Sequence, residues 1–196
     1  MYTSQPIQPR VLPHSIYQHT YQTISEIVFD SHSEFNKAEA IEKILSTLAD
    51  QLFLNMGRVL LPDYNETHLC IRYAHGIPKE KRLTSYGVDQ GITGLVYTCQ
   101  QSIYADDLDT NSMYVGKLCA STDLPYTNPA ITGVPILDTH CEIKGVLCVN
   151  HGYRERDELA DVQNVLENTA ILIAMLLSRT QSEVKKPEKV ISLQLQ

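Results

Sequence analysis

The stretch that organises the chain is Gly87-Val-Asp-Gln-Gly-Ile-Thr-Gly-Leu-Val-Tyr-Thr98. Its glycines, Gly91 and Gly94, open a segment that reads as a helix, and Asp89 stands just ahead as a candidate N-cap. A helix N-terminus presents unpaired backbone N–H groups and a partial positive charge. The stretch therefore predicts a turn and helix start able to hold a small polar molecule. The simpler alternative is a glycine turn that packs one short helix against a sheet.

Composition limits the classes of protein to consider. The chain has 196 residues, 43% of them hydrophobic, which fits one domain able to bury about 70% of its unfolded surface. The net charge is -7 and no block of five or six Lys or Arg occurs, so we expect no direct contact with nucleic acid. The longest apolar run, residues 170–177, is shorter than the roughly 20 residues of a membrane span.

Cysteine usage and the N-terminus indicate the compartment. The five cysteines are an odd number without a Cys-x-x-Cys pair, and the N-terminus has no charged region followed by an apolar segment. We therefore expect a protein of the reducing cytoplasm, without contact to a membrane.

The chain begins and ends with helical patterns. Residues 1–12 read as a flexible arm, and Tyr17, Tyr21, Ile24 and Val28 then share one face of a helix that ends near residue 29. A capping-box-like start at Asn36 opens a second helix to about residue 54. Residues 154–179 form a closing helix, and residues 181–196 read as a linker tail.

Between these helices lie short strand patterns. Alternating apolar and polar residues predict a hairpin over residues 57–74, with one face buried. Residues 79–82 read as a solvated loop, and a long polar connection at 106–129 is of the length that often forms a lid. The remaining strands are expected at residues 83–87, near 103, 130–137 and 143–150. The fold class is therefore α+β, with a mainly antiparallel sheet of about six strands flanked by N- and C-terminal helices.

Five short motifs in this order resemble a GAF domain over residues 37–179. The motifs are Leu69-x-Ile71-x-Tyr-Ala-x-Gly76-Ile-Pro78, Gly91-Ile-Thr-Gly94-Leu-Val-Tyr, Ile103-x-Ala-Asp106, Ile131-x-Gly-Val-Pro135-Ile136 and Gly145-Val-Leu-Cys-Val-Asn150. Residues 87–106 are most similar to the N-terminal regulatory domains of NifA-type activators of sigma-54-dependent transcription. The domain is accordingly expected over residues 13–180.

The resemblance implies a non-enzymatic sensory domain that binds a small-molecule effector or a regulatory protein. In the full activators such a domain is joined to an ATPase domain and a DNA-binding helix-turn-helix. No Walker-type Gly-x-x-x-x-Gly-Lys-Ser/Thr run occurs here, so the chain is expected to be an isolated sensor domain or a stand-alone relative. No cofactor is assigned from the sequence.

The implied pocket lies between the sheet and the inserted helix and loop. Thr93 and Tyr97 are expected to face the ligand from the helix, with the long loop as a lid. Tyrosines in this region suit a pocket for a small polar molecule, although they could equally wall the core. The full set of expected ligand-binding residues is Thr93, Tyr97, Tyr104, Asp106, Asp107, Cys119 and Thr132.

Three alternative functions draw on other residues of the chain. A thiol-based free methionine sulfoxide reductase would use Cys119 as nucleophile, but Thr93 stands where that family has a second cysteine. A metal or redox sensor could draw on Cys99, Cys119, His140, Cys141 or Cys148, although cysteine is often simply buried. Cyclic-nucleotide binding has weak support, because the three Phe all precede the first strand.

Two further expectations concern assembly and the histidines. The closing helix is apolar on more than one face, so its surplus is expected to pair with the first helix of the same chain or of a second one, giving a homodimer. His75 and His151 stand beside glycines at strand ends and are expected to face solvent.

Overall fold

The computed structural model describes residues 12–30, 37–120, 124, 126 and 128–179. The expected arm, apart from Leu12, the expected linker tail and the Asn36 cap lie outside the described residues.

The described residues form helices on both faces of a six-stranded antiparallel sheet of order β3-β2-β1-β6-β5-β4. This arrangement confirms the predicted α+β class. The helices are α1 His14–Asp30, α2 Lys37–Leu52, α3 Gly91–Cys99 and α4 Arg156–Ser178. The strands are β1 Asn55–Pro62, β2 His68–Ala74, β3 Ser85–Gly87, β4 Ile103–Ala105, β5 Pro129–Leu137 and β6 Ile143–Gly152.

One face of the sheet carries α1, α2 and α4, and we call it the helix face. Alternate residues of β5 and β6, such as Val134 and Leu147, project from this face into the main core. The predicted apolar stripe of α4 is buried here, and so are Tyr17, Ile24 and Val28 of α1. The core on this face is therefore built from the inward-facing alternate residues of the strands and from the apolar stripes of the helices.

The opposite face of the sheet carries α3 and residues 106–120, and we call it the loop face. Val96 of α3 packs here against Val146 and Cys148 of β6. A Cβ atom on Gly133 of β5 would lie 2.9 Å from Val96 Cγ2. Because glycine has no Cβ atom, α3 can approach the sheet closely at this point.

Two local predictions were wrong. Residues Lys79–Leu83, predicted as a solvated loop, have no buried side chain but form a short 3-10 helix, which begins with the Lys81 N–H donating to the Pro78 carbonyl. Asp89 does not cap α3, because the helix begins at Gly91 and Gln90 occupies the N-cap position. Asp89 is thus one residue too early for its carboxylate to reach the first amides of the helix.

Helix α4 is long and apolar enough, by length and composition, to cross a membrane, but half of the apolar window is buried inside the protein. Its packing against the sheet and α1 accounts for its apolar character. Leu172 belongs to this buried surface, whereas its neighbour Ile171 is 57% exposed. The expected pairing of α4 with α1 is made within the same chain.

Candidate functional site

A cavity of about 350 Å³, mouth included, opens on the loop face. Its floor is formed by Arg58 of β1, Ile131 of β5 and Asn150 of β6. Its walls are residues 91–93 at the start of α3, Tyr86 of β3 and the loop segment 113–118. The sheet, the inserted helix and the long loop meet at this cavity, as the resemblance implied.

Arg58 is a buried charged group on the floor of the cavity. It is only 3% exposed, and both hydrogen bonds of its guanidinium are donated by Nη1, to Met56 O at 2.9 Å and Asn150 Oδ1 at 2.8 Å. Nε is buried and has no hydrogen-bond partner. Arginine remains protonated when buried, so the cavity holds a positive charge.

Asn150 supplies a second unpaired donor. Its Oδ1 accepts the bond from Arg58, which fixes the orientation of the amide, and its Nδ2 is buried without an acceptor. No Asp or Glu is among the described residues that line the cavity. The floor of the cavity is therefore rich in hydrogen-bond donors and lacks a negative charge.

The loop segment is held over the cavity by two lysines. Lys117 Nζ donates to Ser85 O at 2.8 Å and to Gln90 Oε1 at 2.6 Å, and it lies 5.1 Å from the centre of the Tyr86 ring. Lys81 Nζ donates to Leu118 O at 2.6 Å. These bonds connect the loop to β3, to the turn before α3 and to the 3-10 helix.

Burial raises the pKa of the two tyrosines that line the cavity, Tyr86 and Tyr114. The nearby Arg58 charge acts in the opposite direction on both. The Tyr114 hydroxyl donates to Cys119 O at 3.1 Å. Both phenols therefore stay neutral at physiological pH.

Of the seven ligand-binding residues expected from the sequence, only Thr93 lines this cavity. It is buried, and its Oγ1 lies 3.6 Å from the Cys148 Sγ atom. Tyr97, one helical turn further on, is half-buried, and its pKa is raised by burial and by the charge of Glu66. Tyr97 packs on the neighbouring core and does not line the cavity.

The three expected lid residues lie beside the cavity and not on its wall. Asp106 and Asp107 stand at the start of the loop, with Asp107 exposed in a left-handed backbone conformation. Cys119 Sγ lies 3.8 Å from Met56 Sδ and 3.7 Å from Tyr114 Oη. The part of the cavity wall that the loop contributes is formed instead by residues 113–118.

Tyr104 and Thr132 are paired across β4 and β5 and lie on the helix face. The Thr132 hydroxyl is 2.8 Å from His151 Nε2, and the Tyr104 ring stacks on His151 with centroids 5.9 Å apart. They are thus near each other but separated by the sheet from Thr93 and the cavity.

The structure corrects the prediction that His151 faces solvent, because the residue is fully buried. The reason is that β6 continues to Gly152, two residues beyond the expected strand end. His151 Nδ1 donates to Gly152 O at 2.7 Å, so Nε2 accepts from Thr132. Burial lowers the pKa of His151 to about 4.

Sequence reasoning missed Arg58 and Asn150. Both lie in strands that read as apolar, and in the sequence Asn150 is only the last residue of a motif. The available signal was a single arginine within the apolar run of β1, since an arginine is rarely buried without a partner.

No protein-family model matches the chain. Among solved structures, the GAF domain of A. aeolicus nlh2 in an inactive state superimposes with a TM-score of 0.69, at 16% identity over 83% of this chain and 96% of that one. Free methionine-R-sulfoxide reductase from Neisseria meningitidis superimposes with a TM-score of 0.67, at 14% identity over 87% of this chain and 93% of that one. The chain therefore has a GAF fold.

A curated relative agrees with the narrower resemblance. The chain is 29% identical over 161 residues to the Nif-specific regulatory protein of Enterobacter agglomerans. The match covers 80% of this chain, and the chain spans 30% of the length of that relative. The resemblance to a GAF domain of the NifA type is thereby confirmed.

Proposed function

We propose that this chain is a non-enzymatic regulatory domain that senses a small-molecule effector in the cavity between α3 and the loop segment 113–118. The single observation that carries the proposal is the cavity itself, with a buried, incompletely paired Arg58 on its floor. A buried charge without a carboxylate partner is costly to the fold, so its presence here suits a binding role.

The regulatory part of the proposal is supported by the Nif-specific relative. By analogy with that class, the domain controls the activity of a sigma-54-dependent activator module in the cytoplasm, through effector binding or a protein partner. The loop bonds made by Lys81 and Lys117 offer a route for this control. An effector in the cavity would alter the position of the loop relative to β3 and α3.

A chimera tests this function. The chain replaces the matching region of the Enterobacter agglomerans protein, and transcription from a nif promoter is measured under several growth conditions. Met113 lines the cavity and is 40% exposed, so Met113→Trp should occupy the cavity at little cost to folding. We expect the variant to fix transcription at one level while the unmodified chimera responds to conditions.

The matched control is Leu83→Trp, because Leu83 is 90% exposed and does not line the cavity. It should respond like the unmodified chimera. An output that stays constant in the unmodified chimera, or a Met113→Trp variant that responds as the control does, would contradict the proposal.

The alternatives have less support. Some structures with the same fold are methionine sulfoxide reductases, but Cys119 does not line the cavity and Thr93 occupies the expected position of a second thiol. Within the described ranges, no three His, Cys, Asp or Glu side chains gather where they could hold a metal ion. The regulatory function therefore remains the better explanation of the site.

A further inference from the structure

The turn that follows α3 is hydrogen-bonded to the closing helix α4. Helix α3 ends at Cys99, and Gln100 closes it in the left-handed conformation, with its N–H donating to Val96 O. Two residues further on, the Ser102 hydroxyl donates to Glu167 Oε1 of α4 at 2.6 Å. The short distance is typical of a hydroxyl that donates to a carboxylate. A hydrogen bond therefore joins the end of α3 to the middle of α4.

The carboxylate of Glu167 is also fixed from the α4 side. Gln163, one helical turn earlier, donates from Nε2 to the same Oε1 atom at 2.8 Å. The side chains of Ser102, Gln163 and Glu167 are half-buried, so water competes with these bonds less than it does at an open surface. Glu167 is thus held by two donors, and a movement of Ser102 would act on α4 directly.

This hydrogen bond connects elements on opposite faces of the sheet. Residues 91–93 at the start of α3 form a wall of the cavity on the loop face, whereas α4 covers the helix face. Helix α3 has nine residues and is therefore about 14 Å long, short enough to move as one rigid element. A displacement at the cavity end of α3 would therefore reach Ser102 at the other end.

The far end of α4 is bonded to the two other helices of the helix face. Lys37 Nζ of α2 donates to Leu177 O at 3.1 Å and to Arg179 O at 3.0 Å. The Arg179 guanidinium donates to Val28 O in the last turn of α1 at 3.3 Å. A shift of α4 would change these contacts and, with them, the packing of α1 and α2.

We infer that the hydrogen bond between Ser102 and Glu167 couples the cavity to α4, so that an occupant of the cavity changes the position of the closing helix. This inference rests on the proposed function and names how the cavity exerts its regulation. Ser102 and Glu167 are positioning residues, because neither lines the cavity. Their bond passes around β4, the edge strand of the sheet, and not through the sheet itself.

The test follows hydrogen exchange of the α4 backbone in the purified protein, because exchange rates report the local opening of a helix. Met113→Trp again serves as the occupant of the cavity. We expect this variant to change the exchange rates of α4 amides about fivefold or more when Ser102 is present. In the double variant with Ser102→Ala the change should be less than about twofold, since the cycle of four proteins isolates the coupling.

Three further variants separate coupling from a general effect on stability. Glu167→Ala removes the acceptor and should abolish the response of α4 as Ser102→Ala does. Ser102→Thr keeps the hydroxyl and should retain the response. Ser46→Ala is the matched control, because the Ser46 hydroxyl bonds within α2, to Lys43 O at 2.9 Å. It should leave the response of α4 unchanged.

The inference is overturned if Met113→Trp leaves the exchange of α4 unchanged, or if Ser102→Ala reduces the response no more than Ser46→Ala does. The chimera distinguishes this failure from a failure of the proposed function. Transcription that Met113→Trp fixes at one level whether residue 102 is Ser or Ala, in a chimera that otherwise responds to growth conditions, would keep the regulatory function and reject the coupling. A constant transcription output together with a Ser102-dependent response of α4 would support the coupling and reject the regulatory role.

Discussion

His151 shows how a single buried residue makes stability depend on pH. Its imidazole accepts a hydrogen bond from Thr132 while Nδ1 donates to the Gly152 carbonyl, so the neutral ring satisfies both partners. Protonation would place a buried positive charge next to Arg154, which already lowers the pKa of the ring. The fold therefore favours the neutral form.

This preference predicts a loss of stability in mild acid. The folded pKa of about 4 lies below the ordinary histidine pKa of 6.5, so the unfolded chain binds the proton more readily. The contribution of His151 is complete above pH 6.5 and is lost as the pH falls toward 4, by about 3 kcal/mol in total. Urea unfolding at a series of pH values measures this loss of unfolding free energy.

The matched variant is His151→Gln, which keeps a polar group but does not titrate. The difference in unfolding free energy between the variant and the unmodified protein should change between pH 7 and pH 4.5. A difference that stays constant over this range would show that His151 does not titrate with the fold.

Cys119 allows the enzymatic alternative to be tested at the residue scale. Its Sγ contacts Met56 and Tyr114 and is not on the cavity wall, so we expect no thiol-dependent reduction of free methionine sulfoxide. Cys119→Ser should leave the fold intact. Assays with free methionine sulfoxide and a thiol reductant check this. Turnover that disappears in Cys119→Ser, but not in Cys99→Ser at the exposed end of α3, would establish the reductase.

At the scale of elements, one buried polar cluster joins three helices. Arg154 bonds to Glu158 in the first turn of α4 and donates from Nη2 to the Leu52 carbonyl of α2 at 2.8 Å. The Tyr17 hydroxyl of α1 donates to Glu158 at 2.9 Å. Both charged side chains are almost fully buried. The cluster therefore sets the relative positions of α1, α2 and α4 above the sheet.

Removing the carboxylate from this cluster should lower the free energy of unfolding. Glu158→Gln leaves the buried Arg154 charge without its counter-ion, and we expect a loss of about 3–5 kcal/mol in unfolding free energy. Glu42→Gln is the matched control, because the Glu42–Arg82 pair at 3.3 Å is largely exposed and should contribute less than about 1 kcal/mol. Denaturant unfolding of both variants gives the comparison, and equal losses would contradict the assigned role of the cluster.

At the scale of the whole molecule, the remaining expectation is a homodimer. The surplus apolar surface of α4 is partly covered by α1 of the same chain, but Ile171 and Met175 remain exposed one helical turn apart. Phe29 at the end of α1 is also 55% exposed. These side chains offer the apolar surface that a second copy would cover, so we still predict dimerisation along α1 and α4.

The test requires a substitution on the exposed side of α4. Ile171→Glu should turn the dimer into a monomer in sedimentation experiments without unfolding it. Leu172→Glu is the contrasting variant, since Leu172 is buried within the chain and a glutamate there should destabilise the fold itself. An unmodified protein that is a monomer at every concentration would refute the dimer.

The sequence by itself determined the type and order of most elements and the buried stripe of α4. Period-two alternation in β2 and the helical stripe in α4 depend on which residues avoid water, and this preference is local. The order of helices and strands, the hairpin of β1 and β2 and the GAF fold followed from these patterns and the five motifs. The structure confirmed each of them.

Only the tertiary structure decided the site. The sequence prediction places Tyr104 and Thr132 in the same pocket as Thr93, but strand pairing directs them to the opposite face of the sheet. Arg58 and Asn150 are 92 positions apart, and the β1–β6 pairing brings them within hydrogen-bonding distance. Burial of His151 likewise depends on strand pairing, because β5 and β6 continue to pair beyond Asn150, with Ala130 opposite His151. Such contacts depend on register between distant segments, which local patterns of polarity do not encode.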